Sequence, residues 1–182
     1  MTRLTFLLAA GGLLLSGCAS EPGASGANGT AANAAAEAES GFKAEDACAM
    51  LPKEKVAEVV GLKVTSAKLD RVTKLTQDSA GFSTCTYEFA GGGSLDFFAR
   101  QSPVNDNTLT AIENTKQGLV ANMGAKITEL PDLGNGSFSA EPGAQLHVFR
   151  GGNRYFYFMS IIPPAGKPML ELEKQLADAV PG

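Results

Sequence analysis

Tryptophan is absent from the 182 residues, histidine occurs once, and cysteine three times. Each scarcity excludes chemistry. A His-based serine or cysteine hydrolase needs nucleophile, base and orienter together. Here His147 is the one imidazole, and no Gly-x-Ser-x-Gly elbow accompanies it. Three cysteines with one histidine make a poor zinc set. Met50, Met123 and Met159 are too dispersed for a copper cluster and read as core residues. No basic patch exists and net charge is −4, which argues against nucleic acid as a partner. No apolar run reaches the ~20 residues needed to span a bilayer. The glycine runs Gly91–Gly93 and Gly151-Gly152 lie between strand-like segments and lack a Gly-Lys-Ser/Thr signature, so they read as hairpin turns, not phosphate cradles. No metal or cofactor is expected.

The start of the chain has an order of its own. Arg3 gives a positive beginning, an apolar run extends from Leu4 to Leu15, and Leu15-Ser16-Gly17-Cys18 follows. The run has the length of a signal-peptide core. Residues 1–17 therefore read as a signal segment, and 18–41 as a tether. The tether holds no aromatic or branched aliphatic side chain, so it cannot build a core and is expected to be disordered. As a coil it would reach about 25–30 Å. Residues 42–182 are expected to form one globular domain, and about 140 residues suffice for a real core.

The string Leu15-Ser16-Gly17-Cys18 resembles the lipobox of bacterial lipoproteins: an aliphatic residue, two small residues and the cysteine that takes the acyl chains. The resemblance implies cleavage before Cys18 and lipidation of its thiol. Ala19 and Ser20 follow, without the Asp that marks inner-membrane retention. In a host with two membranes this implies the outer membrane, facing the periplasm. An ordinary signal peptide with an incidental cysteine is the alternative. If Cys18 is acylated, Cys48 and Cys85 remain. Two spare cysteines in an oxidising compartment are expected to pair as a disulfide, with free buried thiols as the alternative.

Patterning within the domain predicts an α+β fold. Asp46 to Leu51 reads as a helical turn, and Pro52 opens a helix with Val56, Val59 and Val60 on one face, ending at Gly61. Residues 62–69 read as a strand and 72–82 as a loop. Residues 83–89 and 94–100 alternate as a hairpin: Cys85, Tyr87 and Phe89 face one way, and Leu95, Phe97 and Ala99 share one face of the return. A second helix is expected over 106–123, its apolar face of Leu109, Ile112, Leu119, Val120 and Met123 interrupted by Lys116. Strands are expected over 125–130, 137–140, 145–150 and 154–162, and a last helix over 168–180 with Met169, Leu172, Leu176 and Val180 in one stripe. Val60-Gly61-Leu62-Lys63-Val64-Thr65 and Met123-Gly124-Ala125-Lys126-Ile127-Thr128 both end a helix and start a strand. That recurrence fits an internal duplication, and equally coincidence, since Gly after a helix is common. The expectation is one antiparallel sheet of two hairpin-containing halves, with helices on one face.

The domain also resembles a loose class of uncharacterised bacterial lipoprotein domains. The shared elements are Asp46 to Leu51, the Lys-Glu-rich helix to Gly61, Cys85-Thr86-Tyr87 and Leu130-Pro131-Asp132-Leu133-Gly134. Met50 departs from the usual Leu. The resemblance implies an α+β fold and a cysteine pair, and no activity.

The function expected from these readings is a membrane-anchored, non-catalytic envelope module that binds a protein or another envelope component. Its membrane contact is lipid on Cys18. The candidate partner surface is Tyr155, Tyr157 and Phe149, because Tyr155-Phe156-Tyr157-Phe158-Met159 carries aromatics on both faces. His147 reads as a surface or half-buried strand residue. Rival readings are a carrier with an apolar pocket between sheet and helices, and a carboxylate enzyme using residues such as Glu88, Asp96 and Glu129.

Overall fold

The computed structural model of the protein describes residues 41–160 and 168–182. The signal segment, Cys18 and the tether lie outside these residues, as do the expected end of the last strand at Ile162 and the Pro163-Pro164 stop.

The elements in order are α1 (Ala47–Met50), α2 (Lys53–Val60), β1 (Val64–Thr73), β2 (Gly81–Phe89), β3 (Ser94–Gln101), α3 (Leu109–Met123), β4 (Lys126–Glu129), a 3₁₀ turn (Pro131–Leu133), β5 (Phe138–Glu141), β6 (Gln145–Arg150), β7 (Arg154–Ser160) and α4 (Met169–Ala179). The seven strands form one antiparallel sheet in the order β1-β2-β3-β7-β6-β5-β4. The α+β expectation is met. Two meanders meet where β3 pairs with β7, with Phe97 opposite Phe158 and Phe98 opposite Tyr157.

Helix boundaries follow local chemistry. Asp46 accepts a hydrogen bond from the Ala49 N–H at 2.9 Å, and Thr108 accepts one from Ala111 at 3.2 Å. Each satisfies an amide that has no partner within its helix. Gly61 (φ 77°) and Gly124 (φ 65°) close α2 and α3 in the left-handed conformation that a Cβ penalises. Arg150 closes α4 by donating to the carbonyls of Ala177 and Val180 at 2.7 and 2.5 Å.

Alternation splits the sheet into two faces. The first carries Cys85, Tyr87, Leu95, Phe97, Leu146, Val148, Phe156 and Phe158, and packs against α1, α2 and α4 through Leu51, Val56, Leu176 and Val180. Phe97, Phe156 and Phe158 form its aromatic centre, with ring centroids 5.0–5.8 Å apart. Of the expected stripe of α4, Leu172, Leu176 and Val180 are buried and Met169 is half-buried.

Three features depart from the sequence reading. First, the helices do not all share one face. Ile112 of α3 packs with Phe138, Ala140 and Phe149 on the second face. Of the apolar residues assigned to α3, Leu109 is 72%, Val120 49% and Met123 45% exposed. A 15-residue helix held chiefly by Ile112 does not need a continuous stripe. Second, β1 runs on to Thr73 and β2 begins at Gly81, so the expected loop is short. β1 is an edge strand with both faces wet, and such a strand lacks the apolar alternation that would reveal it. Third, the two recurrent helix-and-strands units place their helices on opposite faces of the sheet. A two-fold axis along the sheet normal therefore does not relate them.

Cys48 and Cys85 form a disulfide with Cα atoms 5.0 Å apart, tying α1 to β2. On either side of it, buried Ser83 accepts from the Ala47 N–H (2.8 Å) and donates to the Ala44 carbonyl (2.7 Å), and the Tyr87 hydroxyl donates to the Leu51 carbonyl. Closing a loop of 37 residues contributes about 4 kcal/mol in the chain-entropy picture. Replacing both cysteines by alanine is expected to lower unfolding free energy by about this amount. Urea titrations of the two proteins, followed by near-ultraviolet circular dichroism, check it.

Candidate functional site

The second face of the sheet has two parts. Over β5 and β6 it lies beneath α3. Over β1, β2, β3 and β7 no helix among the described residues covers it. In this open part the period-2 rule brings Phe82 (β2), Phe98 (β3), and Tyr155, Tyr157 and Met159 (β7) to one side. Each is half-buried. The rings form a continuous belt across the strands. Phe82 lies 5.8 Å from Phe98, Phe98 stacks 5.0 Å from Tyr157, and Tyr157 stacks 5.4 Å from His147. Tyr155 joins the belt at 6.2 Å from Phe98 and stacks on Phe149 at 4.7 Å. Cross-strand aromatic pairs of this kind stabilise a sheet by about 0.2–1 kcal/mol each.

Paired polar groups border the rings. Arg100 grips Asp106 through two hydrogen bonds, 3.2 and 2.5 Å, reaching from β3 to the segment before α3. Burial works against ionising Asp106, but the Arg100 guanidinium holds its carboxyl below the usual carboxylate range. Thr86 donates to Asp96 at 2.6 Å. At the far side, the segment before α3 docks on the β6–β7 turn. Asn107 donates to the Gly151 and Arg154 carbonyls, and Gly152 lies so close to Asn105 that a Cβ there would fall 2.2 Å from its amide carbon.

His147 is buried at 4% exposure, not at the surface. Its Nδ1 lies 2.6 Å from the Tyr155 hydroxyl and its Nε2 3.0 Å from Gln145 Oε1. The Gln145 amide nitrogen points to Met123 Sδ at 3.8 Å, which leaves the amide oxygen for the imidazole. Nε2 then carries the proton and Tyr155 donates to Nδ1, so a neutral ring is satisfied on both sides. The ring also stacks on Phe138 at 4.5 Å. Burial pulls its pKa down to about 4, and burial pushes both tyrosines above the ordinary phenol range.

The predicted residues therefore separate. Tyr155 and Tyr157 lie on the open face together. Phe149 does not join them: it is 7% exposed under α3, because its position in β6 falls beneath the helix. Phe82, Phe98, Arg100 and Asp106 were missed. Phe82 had been placed in a loop. Phe98 stands beside Phe97 in sequence, and only alternation assigns it to the opposite face. Lys116, which interrupted the apolar face of α3, lies 5.5 Å over the Phe138 ring and pairs with Glu129 at 2.6 Å. That pair is at the β4 edge, away from Asp96, so these two carboxylates do not share a cleft. Met50 is buried, Met159 sits on the open face and Met123 is largely exposed.

The apolar space between sheet and α4, lined by Val60, Phe89, Leu95, Met169, Leu172 and Leu176, amounts to about 10 Å³. A groove beside α3, lined by Glu113, Lys116, Val120, Ile127 and Glu129, is larger, about 380 Å³, but open and edged by charge. Among the described residues no three His, Cys, Asp or Glu side chains gather as metal ligands, and no helix is long and apolar enough to cross a membrane. Glu173 of α4 is 1% exposed, and burial raises its carboxyl to about 8; Ser160 Oγ lies 3.3 Å from it.

No protein family, curated protein or solved structure matches the chain.

The depressed pKa of His147 sets a sign. Between the ordinary value of 6.5 and about 4, the unfolded chain binds a proton that the folded one refuses. The stability contributed by the neutral ring is complete above pH 6.5 and is lost as pH falls toward 4. His147→Gln is expected to flatten the decline in urea midpoint across that window. A decline of equal slope in variant and wild type would exclude His147 as its source.

Proposed function

We propose that this protein is an envelope lipoprotein, tethered by acyl chains on Cys18, whose domain is a non-catalytic binding module for another envelope protein. The observation that carries the binding role is the belt of Phe82, Phe98, Tyr155 and Tyr157 on a sheet face that no helix among the described residues covers. Aromatic side chains offer large contact area with few rotors to freeze. Protein interfaces favour aromatic centres with polar rims, and the Arg100–Asp106 and Thr86–Asp96 pairs provide such a rim. The sequence of residues 18–41 supports the same reading: it holds no aromatic or branched aliphatic side chain to build a core, as suits a tether between membrane and domain.

A carrier of small apolar ligands is less well supported. Ligand pockets usually enclose about 300–1,000 Å³ of mostly apolar space. The space between sheet and α4 is far smaller, and the larger groove beside α3 is open and charged.

Two outcomes test the proposal. Cys18→Ala is expected to move the exported protein from the membrane fraction to the soluble fraction, with signal cleavage checked by mass spectrometry; a variant that stays membrane-bound defeats the anchor. Tyr157→Ser and Phe98→Ser are expected to weaken capture of the partner from intact envelopes by about 30-fold each, the loss of a central interface anchor. Asn114→Ala, at an exposed position of α3, serves as the control. Equal capture by all three proteins would remove the aromatic face from the interface.

A further inference from the structure

β1 is the free edge of the sheet on the side of the first meander. It is ten residues long, and all of Ala67 to Val72 is exposed, with Leu69 at 38% and Val72 at 50%. Natural edges are usually blunted by charges, by proline or by bulges, and β1 carries Lys68, Asp70 and Arg71. Here residues 66–70 pair with β2 in unbroken register, and the bulges lie outside them.

The backbone polarity of this stretch is fixed by its neighbours. The Phe89 N–H donates to the Gly93 carbonyl, toward β3, while the Ala90 N–H donates to Lys63, toward β1. Along β2 the even-numbered residues Thr84, Thr86 and Glu88 therefore turn their amides and carbonyls to Asp70, Lys68 and Ser66. The backbone groups of Ala67 and Leu69 then point away from the sheet, into solvent.

We infer that β1 pairs antiparallel with β1 of a second copy of this chain, with Leu69 opposite Leu69. The choice of partner rests on self-complementarity. In that register Lys68 of each copy faces Asp70 of the other, twice over, on the same side of the ribbon. The two Leu69 residues form a hydrogen-bonded pair at the centre and bury their exposed side chains against each other. Shifting the centre to Lys68 would set two ammonium groups face to face. Among the described residues neither Lys68 nor Asp70 takes an ion-pair partner; Asp70 accepts only the Arg71 N–H, through one oxygen. The local two-fold axis of such a ribbon runs along the sheet normal. The pairing therefore continues the sheet from one copy into the next and presents both aromatic faces on the same side. It is independent of what those faces bind.

Leu69→Cys tests the register in the full chain purified in mild detergent. Hydrogen-bonded antiparallel partners have Cα atoms about 5.5 Å apart, within the span a disulfide bridges. Mild oxidation is expected to yield a covalent dimer on non-reducing electrophoresis, about tenfold above that from Val104→Cys, a control more exposed than Leu69. Adding Lys68→Glu, which sets Glu against Asp70, is expected to cut the dimer about tenfold, and exchanging both charges (Lys68→Asp with Asp70→Lys) to restore it. Circular dichroism confirms that each variant is folded. Cross-linking no better than the control, or yields indifferent to both charge changes, would overturn the inference.

Discussion

One ladder of side chains on β2 organises the molecule. Ser83, Cys85 and Tyr87 follow each other at intervals of two, so they point to one face, and each grips the segment from Ala44 to Leu51. The middle link is covalent. The outer two satisfy backbone groups that α1, a single turn, cannot satisfy for itself. A four-residue helix is unstable alone, because nucleation costs more than so few hydrogen bonds return. Fixed to β2 at three successive rungs, it becomes the platform from which Leu51 and the valines of α2 cover the first sheet face. Tyr87 is buried so thoroughly that its hydroxyl is held well above the ordinary phenol range, with the Asp46 charge adding to the effect of burial.

With the first face closed by α1, α2 and α4, the second face receives, among the described residues, only α3. That helix is anchored at the β5–β6 end, where Ile112 meets Phe138 and Phe149. The consequence is an asymmetric surface. Beneath α3 the aromatic belt is sealed and includes a buried, doubly hydrogen-bonded His147. Beyond α3 the same belt emerges as Tyr157, Phe98 and Phe82. Tyr155 bridges the parts, its ring stacked on Phe149 and its hydroxyl bound to His147. A tyrosine at such a boundary is rigid on its buried side and accessible on the other, which suits a preformed contact surface.

The two free edges of the sheet also differ. β4 has four residues, and its end carries Glu129 paired with Lys116. β1 has ten residues, of which Ala67 to Val72 are exposed.

Much of this was legible along the chain. The alternation of residues 83–89 and 94–100 located the central hairpin, the glycines at 61 and 124 marked helix ends, and the stripe of Leu172, Leu176 and Val180 marked α4. Those signals are local, because period and capping depend on neighbours in sequence. The signal-like start, the lipobox-like Cys18 and the spare pair Cys48 and Cys85 were likewise compositional facts. What sequence could not supply was the identity of the face on which each element packs. Phe149 and Tyr157 read alike as outward aromatics, yet one lies under α3 and the other does not. Phe82 read as loop because an edge partner wet on both faces leaves no apolar alternation to announce it. His147 read as a surface or half-buried residue because its two hydrogen-bond partners, Tyr155 and Gln145, and its covering helix meet only when three segments fold together. Local pattern determined which elements exist; long-range strand pairing and helix docking decided which of their side chains meet water.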